Sequence, residues 1–132
     1  MIDYDGRSFR SSAAETADGD GRGPIGHYHQ RGDLVWAQFS GGAVRHGSLA
    51  GTCADDGTLT LAYCQVLTDG QVVAGRCTTT PVVLPDGRLR LREQWQRFGA
   101  AAATGISYIE ELPTATNDPV HPTEKEPTAS CA

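Results

Sequence analysis

Glu93 is the residue whose setting says most about chemistry. In the stretch Leu89 to Gln96, Leu89, Leu91, Glu93 and Trp95 alternate with Arg90, Arg92, Gln94 and Gln96. A period of two marks a β-strand and puts Glu93 on the apolar face. A carboxylate on a buried face costs several kcal/mol unless it is paired or protonated. Burial raises its pKa, which suits a general acid or base. An inward Arg76 or a Tyr hydroxyl would instead make it a satisfied structural group. Aromatic and polar residues recur on other segments: Tyr28, Gln30, Trp36, Gln38, Tyr63, Gln65, Arg76 and Tyr108. A ligand pocket needs an apolar wall with a few placed polar groups. The expected ligand contacts are Tyr28, Gln30, Trp36, Tyr63, Arg76, Trp95 and Tyr108. The expected catalytic pair, if there is a reaction, is Glu93 with His29. The inward face of segments 24–30 and 34–39 is open, as is the choice between the neighbours Glu110 and Glu111.

His27 and His29 flank Tyr28 and share one face of a strand, where two imidazoles can bind one metal. Gly21, the His27-Tyr28-His29 triplet and Asp33 partly resemble the first cupin metal motif, with Asp in place of Glu. The second motif is missing, since Pro85-Asp86-Gly87 leads to Arg90 rather than His, and His46 is the available third ligand. A cupin-like metal protein is therefore an alternative, and the expectation is no metal. Cys53, Cys64, Cys77 and Cys131 form no C-x-x-C pair, so zinc-ribbon and thioredoxin-like motifs are absent. Gln38 to Ala43 fits the Gln-x-x-Gly-x-Ala pattern that cradles pyrophosphate in acetyltransferases. That loop must open a helix, whereas Val44-Arg45-His46-Gly47-Ser48 reads as strand. Gly19-x-Gly21-x-Gly23 lacks the strand and helix of a dinucleotide fingerprint. Arg31-Gly32-Asp33 reads as a turn.

The elements that must position these residues are strands. Arg31-Gly32-Asp33, Ser40-Gly41-Gly42, Asp56-Gly57, Asp69-Gly70 and Asp86-Gly87 punctuate apolar-rich runs. Glycine after aspartate supplies the positive φ of tight hairpins. The runs between predict strands near 7–13, 24–30, 34–39, 43–52, 58–67, 71–80, 88–98 and 105–112. Short links join antiparallel neighbours, not parallel crossovers. The expected fold is all-β, an eight-stranded antiparallel up-and-down barrel of the lipocalin or avidin kind. Ala100 to Ala103 reads as loop. Residues 15–23, rich in Gly and Asp, read as a mobile loop. Residues 113–132, with four prolines and few large apolar groups, read as a disordered tail. The folded domain is then residues 1–112.

At 132 residues and a formal charge of −5, the chain makes one domain and lacks the basic face of a nucleic-acid binder. No apolar run spans a bilayer, and Met1-Ile2-Asp3-Tyr4-Asp5 lacks a signal peptide's basic and apolar regions. The expected location is the cytoplasm, with free thiols. With these residues in view, the chain resembles a family of small bacterial avidin-like barrel proteins. The matching pieces are Asp5-Gly6-Arg7-Ser8-Phe9, His27-Tyr28-His29-Gln30, Val35-Trp36-Ala37, Ser40-Gly41-Gly42 and Gly47-Ser48-Leu49. They continue with Gly75-Arg76-Cys77, Leu84 to Arg88 and Glu93-Gln94-Trp95-Gln96, and cover most of residues 4–112. Members often carry the name N-acetylglutamate synthase. The resemblance implies an avidin-like barrel and transfers no catalytic residue.

Four functional readings follow. The first is a barrel that binds a small organic molecule in its interior, without a cofactor. The second is a cofactor-free isomerase or cyclase, in which Glu93 moves a proton with His29 or a Tyr as partner. The third is the cupin-like metal protein on His27 and His29. The fourth is a filled barrel that serves as an interaction module. Nucleic acid and membrane are not expected partners, and self-association into an oligomer is open.

Overall fold

The computed structural model describes residues 2–113. Eight strands follow in chain order: β1 (Ser8–Ser11), β2 (Ile25–Arg31), β3 (Leu34–Gly41), β4 (Val44–Cys53), β5 (Leu59–Leu67), β6 (Val72–Val83), β7 (Leu89–Arg97) and β8 (Ala103–Glu111). Each pairs antiparallel with the next, and β1 pairs with β8 to close the barrel. The all-β, up-and-down fold expected from the sequence is the one observed. Two 3-10 turns, Ala14–Thr16 and Gly99–Ala101, are the only helical pieces among the described residues. The second occupies the segment expected as loop. No helix among the described residues is long and apolar enough to cross a membrane. The predicted tail lies, from residue 114 on, outside the described residues, as does Cys131.

The hairpins explain the register. Ala54–Thr58, Leu67–Gln71 and Leu84–Arg88 each close with a pair of backbone hydrogen bonds. In each, the Asp carboxylate accepts the amide two residues on, at 2.9, 3.0 and 3.1 Å from Asp56, Asp69 and Asp86. The following glycines, Gly57, Gly70 and Gly87, have φ of 89°, 91° and 91°. This is the three-residue hairpin with a left-handed third position that Asp-Gly favours. Asp56 is held below the ordinary carboxylate pKa chiefly by the Thr58 amide, Asp69 by the Gln71 side chain and then its amide, and Asp86 by the Arg88 side chain and then its amide.

The two ends of the barrel differ. At one end the N-terminal segment crosses the interior as a floor. Tyr4 is fully buried, and its hydroxyl donates to the Gly57 carbonyl at 2.6 Å. Its amide donates to the Gln30 side-chain oxygen at 2.8 Å. Above this floor Val35, Cys53, Leu59, Leu61, Leu89 and Leu91 fill the lower barrel. Glu111 points inward here and Glu110 outward, which settles that pair. Arg7 donates to Glu111 at 2.8 Å, and the Leu89 amide donates to the same oxygen at 2.9 Å.

The opposite end carries the β1–β2 connection. Residues 15–23, expected as a mobile loop, are tied to the barrel in the structure. The Ala43 amide donates to the Thr16 carbonyl at 2.8 Å and the Ser11 amide to the Pro24 carbonyl at 3.0 Å. Asp18 accepts the Asp20 and Arg22 amides at 2.8 and 3.0 Å, which fixes the turn. Gly42, in the β3–β4 turn at φ 58°, lies so close to Thr16 and Arg22 that a Cβ would meet their carbonyls.

The Glu111 cluster predicts a stability effect. Replacing Glu111 with Ala strips Arg7 of its ion pair and leaves the Leu89 amide unpartnered. The expected cost is about 2–4 kcal/mol, read from the urea midpoint at unchanged slope. A loss within about 0.5 kcal/mol, the usual range for surface changes, would contradict this role.

Candidate functional site

Inward side chains of the upper barrel enclose a cavity of about 120 Å³. Its floor is Tyr28 with Phe9, whose rings meet edge to face at 5.0 Å. Its wall includes Phe39, Leu49, Leu61, Tyr63 and Trp95, and its mouth is rimmed by Glu15, Thr16 and Arg97.

The space exists because three aromatic rings lie over glycines on neighbouring strands. Phe39 pairs with Gly47, Tyr63 with Gly75 and Trp95 with Gly105. A Cβ at any of these glycines would run into the ring opposite. Glycine here lets the ring lie flat against the wall instead of standing in the lumen.

Glu93 projects into this cavity from the middle of β7. Ser107 is its cross-strand partner on β8, and Cys77 and Tyr28 lie near. Among the described residues no cation pairs with it. Burial pushes its pKa up to about 7, and the Ser107 hydroxyl offsets this only in part. Burial also raises the Cys77 thiol to about 12, with the Glu93 charge second, so Cys77 is a neutral thiol and not a thiolate nucleophile. The Tyr28 hydroxyl is raised well above its ordinary value by burial and then by Glu93. Tyr63 is raised by burial, against the lowering effect of Arg97.

Four of the expected site residues, Tyr28, Tyr63, Glu93 and Trp95, therefore share the cavity. Five do not. His29 and Trp36 face outward and stack on each other at 5.4 Å, because Tyr28, Val35 and Ala37 take the inward positions. Arg76 is exposed between the inward Gly75 and Cys77, so it is not the partner of Glu93. Tyr108 lies outside between Ser107 and Ile109, under the Arg90 guanidinium at 4.3 Å. Gln30 is in phase with Tyr28 but two residues closer to the closed end, where it binds Tyr4. His27 is exposed and hydrogen-bonds Ser8 at 2.7 Å. No cluster of three metal-ligating side chains occurs among the described residues.

The sequence profile of the avidin-like protein family matches residues 2–112. The chain belongs to the avidin-like family. That match covers the whole barrel, and the family binds small molecules. No curated protein and no solved structure matches this avidin-like chain. Phe39, Gln65, Arg97, Ser107 and Glu15 line the avidin-like cavity although the sequence reading did not choose them as site residues. The signal for the aromatic belt was present as Gly47, Gly75 and Gly105, strand-interior glycines that mark close approach.

Glu93 gives the fold a pH dependence. Below its ordinary value of 4.5 it is protonated folded and unfolded alike. Between about 4.5 and about 7 the folded state holds a proton that the unfolded chain releases. Stability therefore falls as pH rises through that window, by roughly 3 kcal/mol in total. Glu93→Gln should match wild type near pH 4 and exceed it by up to about 3 kcal/mol near pH 8. Urea unfolding at the two pH values checks this, and a gap between the proteins that does not change with pH contradicts it.

Proposed function

We propose that the protein binds one small, single-ring organic molecule inside the upper barrel, with Glu93 as its deep polar anchor. The observation that carries this reading is a cavity walled by aromatic rings with one uncompensated carboxyl at its heart. An apolar wall with few convergent polar groups is the usual make-up of a small-molecule site. The volume of about 120 Å³ is of the order of the roughly 150 Å³ that accommodates benzene in an engineered cavity. Near neutral pH the Glu93 carboxyl both donates, when protonated, and accepts, when ionised. It therefore recognises a hydroxyl, an amide or a ring nitrogen equally well.

A second reading rests on the same pKa. A carboxyl near 7 is matched to proton transfer at neutral pH, and the Ser107 hydroxyl stands beside it as a hydrogen-bond partner, with Tyr28 near. This supports a cofactor-free isomerase or cyclase in which Glu93 moves the proton and the aromatic wall holds the substrate's conformation. His29 has no part in it.

The two tryptophans make the test internal, because Trp95 lines the cavity and Trp36 lies outside. In two-dimensional amide NMR with a library of monocyclic compounds, true ligands should shift the Trp95 indole and the Glu93 and Ser107 amides. The Trp36 indole should stay in place. Glu93→Gln should weaken those ligands about tenfold or more. A library that shifts only Trp36, or nothing, contradicts the reading.

A further inference from the structure

The cavity mouth carries a feature that a neutral ligand leaves unexplained. Arg97, the last residue of β7, lines the cavity, with its guanidinium 5.5 Å from the Trp95 ring centroid. Its Nη2 reaches Glu15 Oε2 at 3.4 Å, a long ion pair whose carboxylate is about half exposed. Its Nε is buried and has no hydrogen-bond partner among the described residues. Nε and Nη2 form the side-on edge of the guanidinium, which a carboxylate engages with two parallel hydrogen bonds. Glu15 uses that edge at one corner only. A buried N–H left without an acceptor is costly and calls for an explanation.

The two polar poles stand on one strand. Glu93 and Arg97 lie four residues apart on one face of β7, about 13 Å between Cα atoms. A cavity of about 120 Å³ has room for one six-membered ring with a substituent toward each pole. Trp95, midway between them on the same face, is the flat surface on which such a ring stacks.

We infer that the cavity takes a monocyclic carboxylate, whose anionic group displaces Glu15 from the Nε–Nη2 edge of Arg97 while its opposite substituent hydrogen-bonds Glu93. This rests on the reading of the cavity as a ligand site and names the chemical class of the ligand. Glu15, carried on the Ala14–Thr16 turn at the rim, is then an internal competitor for Arg97.

Calorimetric titration with 4-hydroxybenzoate, its neutral amide and phenol tests it. Wild type should bind the acid about tenfold more tightly than the amide, the factor expected for charge-assisted over neutral hydrogen bonds. Arg97→Gln should remove that preference and leave phenol binding in place. Glu15→Gln should tighten the acid severalfold, a gain that a damaged fold cannot produce, and leave phenol unchanged. Equal binding of acid and amide, or weaker acid binding in Glu15→Gln, overturns the carboxylate class while phenol binding upholds the cavity. Failure of all three probes to bind overturns both.

Discussion

Closure of the sheet is the constraint on which everything else depends. It rests on the shortest strand, β1, which joins β8 through Phe9–Glu111, Arg10–Glu110 and Ser11–Ile109. Once that seam forms, no edge strand is left open and every second residue must face the interior. The seam is reinforced at its closed end by Glu111, which accepts from Arg7 in the chain just before β1 and from the Leu89 amide on β7. One inward carboxylate is thus spent on architecture. The other, Glu93, stands farther up the same interior without a cation, and the difference between them separates a structural group from a reactive one.

Polarity is graded along the axis. Tyr4 and the aliphatic residues above it close and fill the lower barrel, and Tyr28 and Phe9 form the boundary. Above that boundary, aromatic rings alternate with glycines across strand pairs, which opens volume without exposing backbone. Glu93 sits deep in that volume and Arg97 at its rim, so the cavity offers two different polar poles along one strand. The 12–24 connection, pinned by Thr16 and Gly42, narrows the mouth and brings Glu15 to Arg97.

Much of the fold was legible because the Asp-Gly hairpins carry their own geometry. Eight strands and their antiparallel order follow from that punctuation. Glu93 was legible because Leu91 and Trp95 fix the phase of its strand. The phase of β2 and β3 was not, since Trp36 and the histidines are amphipathic enough for either face, and only Val35, Ala37 and Tyr28 decide it. Gln30 illustrates a second limit. It shares the inward face of Tyr28, but height along the barrel depends on the stagger between strands, and that places it in the floor. Arg97 is not legible as a cavity residue, since a charged residue at a strand end is mostly exposed, while here its guanidinium lies by the Trp95 ring and meets Glu15 of the covering turn. The Gly/Asp composition of 15–23 carried no sign of the hydrogen bonds to Thr16 and Pro24 that join the segment to the barrel.

Glu93 sits in the cavity without a compensating cation among the described residues. Carbon-13 NMR of protein labelled at the glutamate side-chain carboxyls, titrated from pH 3 to 9 beside Glu93→Gln, tests it most directly. One carboxyl titrating near 7, absent from the variant, is the predicted result. Titration of the Glu93 signal at or below its ordinary value of 4.5 would contradict it.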